Sequence, residues 1–138
     1  MKTYDPKQVQ VIVNGVPITG FAPDSVVTVR RNSDSWAMTV GADGEGTRSK
    51  SNDKSGQIEI ALMQSAESNQ VLSNLAIADE LGNTGIAAVM VKDGSGSSLH
   101  LAEQSYIKKP ADAEYGREVG ERIWLLETDN LQTFIGGN

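Results

Sequence analysis

The clearest pattern in the chain is an alternation that turns into a helical repeat. Over residues 57–63, Ile58, Ile60 and Leu62 fall on one side while Glu59, Ala61 and Met63 fall on the other, the period of a half-buried strand. Immediately afterwards Val71, Leu72, Leu75, Ala78 and Leu81 recur at helical spacing, with Asn69, Ser73, Asn74 and Glu80 directed elsewhere. Ser65 is placed to act as N-cap, Glu67 sits near the positive helix end, and Gly82 is suited to the C′ position. A helix over residues 65–81 is predicted, packing on a sheet or plugging its end.

The rest reads as strands and turns. Residues 9–13 and 16–19 flank Asn14-Gly15, the form of a hairpin closed by a type I′ turn, and Pro17 places the returning strand at an edge or makes it short. Residues 25–30 and 36–40 are expected to pair around the polar segment 31–35, and residues 86–91 and 98–102 around a Gly/Ser turn at 93–97. A strand over 103–109 stops at Pro110, and residues 110–116 lead to a long strand over 117–127. The last stretch, residues 129–138, carries apolar side chains that call for a docking place.

Residues 41–56 contain no large apolar side chain. Long loops of this kind are functional or disordered, and as an extended hairpin this one would project about 20 Å. Its acidic residues Asp43, Glu45 and Asp53 balance Arg48, Lys50 and Lys54, which suits docking onto a mixed-charge neighbour; a solvated flexible loop is the alternative.

Composition narrows the function classes. A chain of 138 residues with 38% hydrophobic content suits one domain with a modest core, nearer a thin sandwich than a large enzyme core. The net charge of -6 and the lack of a Lys/Arg-rich run disfavour nucleic-acid binding, though not a wall past which DNA slides. Without cysteine there are no disulfides, thiolate metal sites or cysteine nucleophiles. The N-terminus lacks an apolar signal core and no apolar run reaches spanning length, so synthesis and retention in the cytoplasm until assembly is expected.

Candidate chemistry is sparse. His100 stands alone on a strand, and no serine lies in a nucleophile-elbow pattern. The glycine-rich segments lack dinucleotide and P-loop spacing, and the carboxylates of residues 112–129 read as a solvated or lumen-facing strand rather than a hydrolytic pair. Trp36 and Trp124 read as core or interface anchors. No catalytic residue, metal site or cofactor is expected.

Residues 56–73, residues 107–118 and the triplet Arg122-Ile123-Trp124 together resemble the tail tube proteins of contractile-tailed bacteriophages, over nearly the whole chain. The resemblance implies a single tail-tube domain over residues 1–138, a mainly β sandwich or half-barrel of antiparallel strands with one helix. It further implies six copies closing into a ring around a channel, rings stacking into a tube, and kinship with the haemolysin-coregulated tube protein of type VI secretion. On this reading the loop over 41–56 reaches the adjacent ring through Asp43, Glu45, Arg48, Lys50, Asn52, Asp53 and Lys54. Lys109, Asp112, Arg117, Phe134 and Ile135 are candidates for subunit contacts, and Glu59, Glu118, Glu121 and Glu127 for lining the channel. The implied partners are further copies of the chain, the tail sheath, baseplate and tail-terminator proteins, a tape measure protein in the channel, and DNA that passes without specific binding. The implied location is the virion tail, assembled in the host cytoplasm. Ala66 departs from the pattern where proline is expected in the first helical turn. The rival readings are a free-standing β-sandwich binding module whose 41–56 loop recognises a ligand, a type VI secretion-like tube subunit and, more distantly, an enzyme.

Overall fold

The computed structural model describes residues 1–137. After a short 3-10 turn, Pro6–Gln8, closed by the Asp5 carboxylate, strands β1 (Val9–Val13) and β2 (Val16–Pro17) form the expected hairpin. Asn14 and Gly15 take φ of 52° and 78°, as a type I′ turn requires. The chain continues through β3 (Val27–Arg31), β4 (Trp36–Val40), β5 (Gly46–Lys50), β6 (Gly56–Met63), helix α1 (Ser68–Gly82), β7 (Ala87–Asp93), β8 (Leu99–Lys109), β9 (Glu121–Thr128) and β10 (Leu131–Phe134).

One antiparallel sheet runs in the order β2, β1, β7, β8, β9, β6, β3, with β2 at one edge as Pro17 dictates. Strand β10 continues β9 along β8 in unchanged register: Thr128 lies opposite Ser105 and Leu131 opposite Ala102. The two are a single strand interrupted at residues 129–130, where the Thr128 hydroxyl donates to the Gln104 carbonyl at 2.7 Å and accepts from the Asn130 N–H. Docking of this tail buries Leu131, while Phe134 and Ile135 stay exposed. Asn138 lies outside the described residues.

Although β3 and β1 are far apart in strand order, Val27 and Val29 line the same cavity of about 290 Å³ as Val9 and Val91. The sheet therefore curls back on itself, a half-barrel. Its inner face holds the core: Ile58 opposes Leu126, Ile60 opposes both Val27 and Trp124, and α1 packs over β8 with Leu72 and Ala76 turned inward.

Several expectations are corrected. The helix begins at Ser68, not Ser65, because residues 64–65 form a turn that Asn69 ties down, its side-chain N–H groups donating to the carbonyls of Met63 and Ala66, each at 3.0 Å. Ser68 is buried, and its hydroxyl accepts from the Thr19 N–H at 2.9 Å, drawing the helix start onto the crossing segment after β2. The buried stripe is Ser68, Leu72 and Ala76, whereas Leu81 is 83% exposed. At about 100° per residue Leu81 stands roughly 140° around the helix from Ala76. The left-handed position at the end belongs to Asn83, φ 55°, rather than Gly82.

Strand pairing differs too. β3 pairs with β6 and β4 with β5, so residues 25–30 and 36–40 are not partners. Pairing with β6 sets Val27 and Val29 on the buried face opposite Ile60 and Ile58, which no pairing with the exposed β4 would do. The 41–56 segment consequently contains a strand and is not structureless. The closing strand starts at Glu121; residues 117–120 precede it as irregular chain.

Candidate assembly surfaces

Strands β4 and β5 make a two-stranded sheet of their own, and every residue from 31 to 50 is exposed. Alternation gives this ribbon two unlike faces. Trp36, Met38 and Val40 share one face with Lys50 and Arg48, while Ala37, Thr39, Thr47 and Ser49 form the other. Trp36 is 47% exposed, Met38 73% and Val40 56%, and the Arg48 guanidinium lies 4.1 Å from the Trp36 ring centroid. An isolated hairpin is marginal in water, so stacking of Arg48 on Trp36 supplies part of what holds it. At the tip Gly44 adopts φ 87°, and the Asp43 carboxylate accepts from the Glu45 N–H at 3.1 Å.

The root of the ribbon is polar. Ser51 N–H donates to the Ser35 carbonyl and Asn32 N–H to the Ser55 carbonyl. The Asp53 carboxylate accepts from the Ser33 hydroxyl at 2.7 Å and the Ser55 N–H at 2.9 Å; hydrogen bonds from Ser55 and Ser33 lower its pKa to about 2. Lys54 bridges to Asn130, and Arg31 forks from Nε and Nη2 onto the Leu131 carbonyl at 3.2 and 2.7 Å, so the root is fastened where β9 breaks into β10. Of the residues anticipated in this segment, Asp43, Glu45, Arg48 and Lys50 lie on the arm, and Asn52, Asp53 and Lys54 at its root. Trp36 was expected as a core or interface anchor, whereas Met38 and Val40 were not anticipated as contacts, although the alternation within residues 36–40 is a visible signal.

The outer face of the curved sheet is a second surface. Glu59 lies opposite Leu125, Glu127 opposite Gln57 and Glu121 opposite Met63, so these three carboxylates share one face with the exposed Ile123. Arg30 joins them from β3, with Nη1 3.7 Å from Glu59 and Nη2 donating to Gln57 at 3.1 Å. The Tyr106 phenol donates to Glu127 at 3.0 Å, and that bond raises its pKa. Glu118 is not part of this face: it lies on the exposed connection before β9.

The remaining candidates are scattered. Lys109 and Asp112 pair at 3.3 Å, Arg117 is exposed on the same connection, and Phe134 lies opposite Leu99 at the far end of β8. His100 approaches the Thr133 hydroxyl through Nδ1, and burial lowers its pKa. Among the described residues no group of three His, Cys, Asp or Glu could hold a metal ion, and no helix is long and apolar enough to cross a membrane.

One feature of β9 went unread in the sequence: Arg122 has the inward parity of Trp124 and Leu126 and is itself buried. Trp124 completes the helix start by donating from Nε1 to Asn69 Oδ1 at 3.0 Å.

Residues 13–136 match the family described as the Bacteriophage PhiTE tail tube protein. The chain is 32% identical over 144 residues to Structural protein ORF10 of Pseudomonas phage KPP10, covering 99% of this chain and 83% of that protein. The fold is shared with a chain of the PVC sheath-tube complex of an extracellular contractile injection system in its extended state, at a TM-score of 0.65 and 9% identity over 96% of this chain and 91% of the other. It is likewise shared with a chain of the anti-feeding prophage tube-terminating cap, at a TM-score of 0.62 and 10% identity over 97% of this chain and 92% of the other. With the family matched over nearly its whole length, the chain belongs to the phage tail tube proteins and is a structural component of the virion tail.

Proposed function

We propose that six copies of this chain, each acting as one domain, close into a ring, that rings stack into the tail tube, and that DNA passes through its channel during ejection. The observation that carries this reading is the β4–β5 ribbon, which has an apolar face and a polar face and is exposed along its whole length. A neighbouring ring is the surface that would cover it. Ring closure would use the open edge of β3, whose outer backbone groups are free to pair head-to-tail with an adjacent copy.

The outer sheet face would line the channel through Glu59, Glu121 and Glu127, with Glu118 at its margin. Carboxylates repel the phosphate backbone and keep DNA from adhering. Lys109, Asp112, Arg117, Phe134 and Ile135 would add contacts within the ring. The sheath, the baseplate, the tail terminator and a tape measure protein are the partners this role requires, and assembly would take place in the host cytoplasm.

Sedimentation and negative-stain microscopy of the purified protein test the proposal, with rings or tubes as the expected result. Replacing residues 36–50 by Gly-Gly, which the Ser51-to-Ser35 hydrogen bond should tolerate, should leave the subunit folded and abolish stacking. A chain that remains monomeric at every concentration and salt condition sinks the reading.

A further inference from the structure

Arg122 is 8% exposed and sits on the inner face opposite Leu62. Its Nη1 donates to the Glu121 carbonyl at 2.9 Å and its Nη2 to the Glu114 carbonyl at 3.3 Å, and its guanidinium lies 5.2 Å from the Tyr115 ring centroid. No carboxylate among the described residues lies within ion-pair distance of it. A guanidinium has five N–H donors, and a buried charge is costly unless paired, so two carbonyls and a ring face leave it short of a counter-charge.

Beside Arg122 is a cavity of about 390 Å³ walled by Gln64, Asn69, Ser73, Ala113, Tyr115 and Trp124. Gln64 and Asn69 are already committed, Gln64 to the Gly120 N–H and Asn69 to Trp124 and the turn before α1. They hold the walls while Arg122 supplies the charge. Such a pocket suits a single carboxylate side chain.

The placement of this pocket indicates where the carboxylate comes from. The ribbon leaves the body at Arg31 and returns at Gly56, which lie opposite each other at one end of β6. Arg122 faces Leu62 near the other end, about 20 Å away at the rise of a strand. The ribbon root and the pocket therefore lie at opposite ends of β6, and no described carboxylate of the same copy, at the ribbon tip or elsewhere, pairs with Arg122. At that tip Glu45 carries an exposed carboxylate, while that of Asp43 is occupied by the turn. We propose that Glu45 of one copy seats in the Arg122 pocket of the next copy along the stack. This rests on the stacked-tube reading and specifies the contact that fixes the axial register.

The absence of cysteine makes the contact directly testable, because Glu45→Cys with Ala113→Cys introduces the only two thiols. Treating the assembled double variant with diamide should yield a ladder of linked chains on a non-reducing gel, and neither single variant should. Glu45→Gln and Arg122→Gln should each lower the assembled fraction on the order of tenfold, with the double variant no worse than either alone. If Arg122→Gln fails to fold, Glu45→Lys and the cross-link decide alone. Tubes that form without a ladder, or effects that multiply, overturn this seating and leave stacking intact. A wild-type chain that never assembles overturns both.

Discussion

The Ser33 hydroxyl donates a 2.7 Å hydrogen bond to the Asp53 carboxylate across the root of the ribbon, tying the outgoing chain to the returning one. Hydrogen bonds favour the ionised form, so the pKa of Asp53 falls from 3.8 to about 2. A depressed carboxylate pKa contributes order that is present above the ordinary value and is lost as pH falls through the folded one. The clasp should therefore loosen between about pH 3.8 and pH 2. The protection factor of the Ser55 amide, its exchange rate referred to the intrinsic rate at the same pH, should fall as pH drops across that window in the wild type, and Asp53→Asn should remove that fall. A wild-type profile flat over that range would contradict the clasp.

Trp36 separates subunit stability from assembly. Its ring lies outside the core, so Trp36→Ala should shift unfolding by no more than about 0.5 kcal/mol. The same change removes the platform for Arg48 and the largest apolar group of the ribbon, so the sedimenting fraction should drop sharply. Thermal melts and pelleting of the same preparation provide both readings; a large loss of stability would mean the ribbon is part of the subunit core.

Gly56 is held by space rather than by backbone angle. A Cβ there would lie 2.5 Å from Leu131 Cδ2 and 2.8 Å from the Arg30 carbonyl oxygen, and the carbonyl belongs to a paired strand that cannot yield. Gly56→Ala should cost about 1–3 kcal/mol as overpacking. Denaturant unfolding would show this, and an unchanged midpoint would refute it.

Ala66 departs from the expected proline for a local reason: its N–H donates to the Met63 carbonyl at 3.0 Å, in a turn that precedes the helix. Ala66→Pro removes that donor, and a net loss of about 1 kcal/mol is expected rather than the gain usual for proline at a first helical position. A raised melting temperature would show that the turn adapts.

The sequence by itself determined what depends on neighbours a few residues apart. The alternation of Ile58, Ile60 and Leu62 specified β6, Asn14-Gly15 specified the turn between β1 and β2, Pro17 specified an edge, and the ordered run of motifs specified the family. Tertiary structure decided what depends on partners far along the chain. It set β3 against β6 rather than β4, turned Ser68 inward and Leu81 out, and gathered Glu59, Glu121 and Glu127 on one face while leaving Glu118 off it. It also placed Arg122 in a pocket at the pole opposite the ribbon root. Side-chain period names the two faces of a strand, but only long-range register decides which face is buried and against what.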